Sequence, residues 1–141
     1  MRKQYRLAKV GLGVAAVSLL VLGGGTAASA ATNYAISSSV NCHGSLNQYD
    51  TYRDHASGSA TFKLEHKDFP DSFRIGLRKD GVSGQYTDSL NFASDGGAAK
   101  TFTRACNGST TLPTGTYAVN ARAPEGTASC FWTGWNGILR L

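Results

Sequence analysis

Beyond residue 30, apolar side chains recur at every second position in short runs, with Gly, Pro, Asp or Asn between the runs. Alternate residues of an extended chain point to opposite faces, so each run predicts a strand with one face turned to a core. The clearest run sets Ala56, Gly58, Ala60, Phe62 and Leu64 against Ser57, Ser59, Thr61, Lys63 and Glu65. His66 continues the apolar parity and is expected at the edge of the core. Residues 34–40 predict an earlier strand; Phe73, Ile75 and Leu77 predict a third, and Tyr86, Leu90 and Phe92 a fourth. Residues 100–106 predict a fifth with Phe102 inward. Tyr117, Val119 and Ala121 predict a sixth, alternating with outward Ala118, Asn120 and Arg122, and residues 130–141 form the last.

Asp80-Gly81, Asp95-Gly96-Gly97, Pro113-Thr114-Gly115 and Pro124-Glu125-Gly126 supply the reversals. Strands at this spacing predict an all-β protein, a single antiparallel β-sandwich of jelly-roll or Ig-like type with seven or eight strands. Ser45-Leu46-Asn47-Gln48 has the form of a capping box, with Leu46, Tyr49 and Arg53 on one helical face. One short helix within residues 46–55 is therefore weighed against an ordered loop.

The first thirty residues follow a different pattern. Arg2, Lys3, Arg6 and Lys9 precede an apolar run from Val10 to Leu22, and Ala28-Ser29-Ala30 ends the segment. This is the form of a secretory signal peptide of bacterial type. The apolar run falls short of the roughly 20 residues that span a bilayer. The expected organisation is a leader at 1–30 and one secreted, extracellular domain at 31–141, with no stable membrane insertion after cleavage.

Removing the leader changes the charge. The chain carries a formal +5, but residues 31–141 hold ten Lys and Arg against nine Asp and Glu, close to +1. Lys63, Lys67, Arg74, Arg78 and Lys79 are interleaved with Glu65, Asp68, Asp71 and Asp80, the pattern of a solvated face. A nucleic-acid partner is not expected, because phosphate affinity needs net cationic clustering.

Three cysteines, Cys42, Cys106 and Cys130, allow one bridge in an oxidising compartment. Proximity in sequence favours Cys106–Cys130 and leaves Cys42 unpaired. If the last three strands formed a simple meander, however, these two would stand two strands apart. Twice the strand spacing is about 10 Å, too far for a disulfide. The pairing requires the last strand to cross to the other sheet; otherwise Cys42 is the better partner for one of them.

The chemistry-bearing residues are scattered. His43, His55 and His66 lie near Asp50, Asp54 and Asp68, but no spacing among them builds a catalytic triad, and neighbours such as Cys42 and His43 point apart on an extended chain. The Cys and His spacings do not match zinc sites, and the Asp-Gly turns offer too few oxygens for calcium. No metal and no cofactor is expected. The densest cluster is Phe131-Trp132-Thr133-Gly134-Trp135-Asn136-Gly137, which holds both tryptophans of the chain. An indole beside an amide suits a sugar ring, or a hot spot for a protein partner; a tryptophan there also suits the core. Tyr49 and Tyr52 lie in a polar segment, 41–59, of the kind that carries recognition on rigid β scaffolds.

These residues favour a secreted, non-enzymatic binding module for cell-wall or other extracellular glycan, with Trp132, Trp135, Asn136, Tyr49 and Tyr52 as ligand-binding residues. The alternative is a secreted protein-binding inhibitor or toxin-like factor, for which a protein is the partner. A small hydrolase using two of the three histidines is the third reading.

Overall fold

The structure, a computed structural model, describes residues 30–41, 44–124 and 132–141. Among the described residues nine strands run in the order β1 (Asn33–Asn41), β2 (Asn47–Gln48), β3 (Arg53–His55), β4 (Thr61–Lys67), β5 (Phe73–Lys79), β6 (Leu90–Phe92), β7 (Lys100–Thr101), β8 (Gly115–Arg122) and β9 (Trp132–Arg140). No helix occurs among the described residues. The first sheet has the order β1-β9-β4-β7; the second has β2-β8-β5-β6, with β3 also on β8. All the pairings are antiparallel. The two sheets pack face to face as a β-sandwich, the architecture that the alternation predicts.

The inward set is the apolar set. Ala60, Phe62 and Leu64 of the β4 region, Phe73, Ile75 and Leu77 of β5, and Tyr117, Val119 and Ala121 of β8 are all buried. Trp135 joins them at the centre, its ring 4.9 Å from Phe73 and 6.0 Å from Phe62. Each of the larger of these side chains, such as Phe62, Leu64, Ile75 or Val119, contributes about 1.5–3 kcal/mol when taken from water, before ordering entropy is charged against it. Phe102 is buried as expected, although its strand ends at Thr101 and the chain turns at 104–108. Ala118 and Asn120, expected in water, are buried too. Arg78 lies over that side of the sheet, its Nε donating to Asn120 Oδ1 at 2.7 Å and its Nη2 to the Tyr49 carbonyl at 2.8 Å.

Three expectations are corrected. The capping-box segment is not a helix: Asn47 and Gln48 pair with Ala121 and Asn120, and Tyr49 N–H donates to the Val119 carbonyl. The backbone groups that a helix would use internally are bound to β8. His66 is not a core residue. The register between β4 and β9 shifts between Leu64 and His66, a bulge that inserts one residue and reverses the parity beyond it. His66 therefore faces solvent, and Lys67 takes the inward position, its ammonium held by the carbonyls of Phe69, Pro70 and Asp71 at 2.8–3.3 Å. The last strand returns to the sheet of β7 and stands two places from it, with β4 between, so the crossing that a Cys106–Cys130 bridge would require is not made, and Cys106 carries a free, exposed thiol. Cys42, His43, Glu125, Gly126, Cys130, Phe131 and residues 1–29, where the leader is expected, lie outside the described residues.

Candidate functional site

Trp132 and Trp135 are three residues apart on β9, and an odd separation on a strand means opposite faces. Trp132 is 64% exposed, the most open of the large hydrophobic side chains described, whereas Trp135 is 2% exposed. The Trp135 Nε1–H donates to the Tyr49 hydroxyl at 3.2 Å, and the two rings meet edge to face at 5.8 Å. Burial pushes the Tyr49 phenol above its ordinary pKa, against the opposing effect of hydrogen bonds with Trp135 and Ser38. Tyr52 lies elsewhere, 40% exposed on the outer side of the second sheet, with the Arg78 guanidinium 5.7 Å from its ring centre. The five residues expected to bind ligand thus fall in three places. Trp132 and Asn136 share the outer face of the first sheet, Trp135 is in the core with Tyr49 half-buried against it, and Tyr52 is on the opposite side of the sandwich.

The outer face of the first sheet follows from the registers. On β9 it carries Trp132, Gly134 and Asn136. Opposite them on β1 stand Asn41, Ser39 and Ser37. On the other flank His66 pairs with Asn136, and the Asp68 N–H donates to the Gly134 carbonyl at 3.0 Å. Asp68 carries its carboxylate over β9: a Cβ built on Gly134 would lie 2.5 Å from Asp68 Oδ2. Glycine at 134 therefore leaves room for a carboxylate on the face, between the exposed indole and the amide of Asn136. The result is a surface of amide, hydroxyl, imidazole and carboxylate groups around one exposed indole.

The bulge that turns His66 outward also places it between two carboxylates. Nε2 is 2.8 Å from Asp68 Oδ1 and Nδ1 is 3.2 Å from Asp95 Oδ2. Only the imidazolium can donate to both oxygens. The Asp95 carboxyl is held below the usual carboxylate range, first by the hydrogen bond from the Lys67 backbone N–H at 3.1 Å, with the positive charges of His66 and Lys67 adding to it. The arrangement fixes Asp68 through one oxygen and leaves Oδ2 toward the face.

His55 occupies a different environment. It is buried, packs edge to face on Tyr117 at 5.6 Å, and has Nε2 3.3 Å from the Gly58 carbonyl. With Tyr34, Asp54, Ser57 and Arg140 it lines a groove of about 570 Å³. His55 belongs to the second sheet and His66 to the outer face of the first, so these two histidines do not converge on one centre.

Asp68, Asp95 and Gly134 belong to the face, although no sequence motif marks them as site residues. Parity alone groups Gly134 with Trp132 and Asn136. The two aspartates reach the face through the bulge, which leaves no local pattern, and through the loop after β6, whose Asp95-Gly96-Gly97 pattern marks a reversal and nothing about what Asp95 meets. Comparison of the chain with protein-family models, with curated proteins and with solved structures finds no match.

Proposed function

We propose that the protein is a secreted, non-enzymatic binding module that takes extracellular glycan on the outer face of its first sheet. The observation that carries this reading is the exposure of Trp132 on a polar sheet face. Folding gains little from an indole left in water, since apolar area stabilises only when it is removed from solvent. A pyranose presents C–H groups on its ring face and hydroxyls at its edge. The first suits the indole plane; the second suit Asn136, Ser37, Ser39 and the carboxylates. The basic, apolar and Ala-x-Ala segments of residues 1–30 support export.

Retention on insoluble cell-wall polysaccharide tests the reading. Wild type and Trp135→Phe are expected to be retained and Trp132→Ala to be lost to the unbound fraction. Equal retention of Trp132→Ala would remove the site. The same exposed indole also supports the second reading, a protein-binding inhibitor, because tryptophans are enriched at interface hot spots. That reading expects no polysaccharide retention by wild type, and a stoichiometric protein complex that Trp132→Ala abolishes.

A further inference from the structure

We infer that the Trp132 face selects glycan bearing free amines, of the glucosamine type, over neutral, N-acetylated or anionic glycan. The inference rests on the glycan reading above and adds the substrate class.

Gly134 is the next outward residue after Trp132, so the Asp68 carboxylate above it stands roughly 7 Å along the strand from the indole position. A sugar ring stacked on Trp132 brings its ring substituents to that carboxylate. Asp68 Oδ1 is occupied by His66, and Oδ2 has no hydrogen-bond partner among the described residues. The local charge has one sign. Asp68 and Asp95 are two carboxylates with one imidazole between them, and His66 offsets one of the two charges at most. The cations of the same face lie toward its other end: Lys63 is the partner of Ile138 and pairs with Glu65 at 4.0 Å, and Arg140 is the last residue of β9. Lys67 is turned inward and its ammonium is held by carbonyls.

An ammonium on the bound ring gains a charge-assisted hydrogen bond to Asp68 and the electron-rich face of the indole. N-acetylation removes that charge, and a uronate or phosphate is repelled. Simple bulk attraction does not supply the same preference, because residues 31–141 are slightly cationic.

Calorimetric titration of the secreted protein at low salt tests this with three oligosaccharides: a glucosamine oligomer, its fully N-acetylated counterpart and an oligogalacturonate. The glucosamine oligomer is expected to bind about tenfold more tightly than the acetylated one, the ratio that one charge-assisted hydrogen bond supplies. The oligogalacturonate is expected not to bind. Asp68→Asn keeps an oxygen for His66 and is expected to bring the two amino-sugar oligomers within about twofold, with an unchanged melting temperature; Trp132→Ala is expected to abolish both. Equal or tighter binding of the acetylated oligomer, still lost in Trp132→Ala, would overturn amine selection and leave the glycan reading standing. No Trp132-dependent binding of any oligomer would overturn both. Binding that survives Trp132→Ala and disappears only with salt would mark unspecific ion attraction and would also overturn the inference.

Discussion

The indole N–H of Trp135 donates to the hydroxyl of Tyr49 at 3.2 Å, and that hydroxyl donates to the carbonyl of Ser39 at 2.7 Å. One phenol thus ties β9, the segment after β2 and β1 together at the side of the sandwich. Tyr49→Phe keeps the ring contact and removes the oxygen. The Trp135 N–H, on a side chain 2% exposed, is then left without its acceptor. The expected cost is about 1–3 kcal/mol, read from urea unfolding, with polysaccharide retention unchanged because the half-buried Tyr49 packs against Trp135 and not on the Trp132 face.

Gly134 and Gly137 repeat the same odd spacing on the same strand, and their substitutions are expected to differ in kind. A Cβ at Gly137 would run into the Lys63 carbonyl and the Phe62 ring. The first is sheet backbone and the second is a fully buried core ring, so neither yields easily. Gly137→Ala is expected to destabilise by about 1–3 kcal/mol or more, measured by thermal unfolding. A Cβ at Gly134 meets only the carboxylate of Asp68, the end of a side chain 58% exposed. Gly134→Ala is expected to melt near wild type while losing affinity for the glucosamine oligomer, since it pushes Asp68 off the face.

The two pairs on β9 also mark how far the sequence is legible. Alternation alone places Phe62 and Leu64, Phe73 to Leu77, and Tyr117 to Ala121 inward, because each strand buries one whole face and the period is strict. The same rule separates Trp132 from Trp135, although a dense aromatic cluster invites reading them as one site. His66 lies beyond local reading: the bulge between Leu64 and His66 answers to β9, at the other end of the chain. The capping-box segment fails for a related reason. Ser45 to Gln48 satisfies a helix start by itself, but β8, distant in sequence, offers the same backbone groups better-packed partners. Non-local pairing overrides a local preference that is worth little without an apolar helical face.

Alkaline pH is expected to weaken the fold through Tyr117. Its hydroxyl donates to the Pro113 carbonyl at 2.8 Å, which only the neutral phenol can do. Burial, with the nearby Tyr86 adding and Arg104 opposing, pushes its pKa from 10.0 up to about 12. A folded-state value above the unfolded one means that the unfolded chain loses its proton first as pH rises. The stabilising contribution is full below pH 10 and declines between about 10 and about 12. The raised Tyr49 phenol acts in the same direction. Urea midpoints measured across this range are expected to fall with pH, and Tyr117→Phe is expected to make that decline shallower while lowering the midpoint at neutral pH.

Cys106 sits in an exposed turn that the Arg104 carbonyl closes by accepting from the N–H groups of Asn107 and Gly108 at 3.3 and 2.8 Å. Gly108, at φ +68°, takes the left-handed conformation that such a turn requires. A free thiol at this position is open to solvent, so a maleimide added to the folded, non-reduced protein is expected to label Cys106 without denaturant. Three cysteines can make one intramolecular bridge. With Cys106 outside it, the only pairing left is Cys42–Cys130, and non-reducing peptide mapping of the protein is expected to recover that cross-linked pair or none. Cys106→Ser should leave the map and the melting temperature as they are, whereas a peptide joining Cys106 to either of the others would contradict its free, exposed state in the fold.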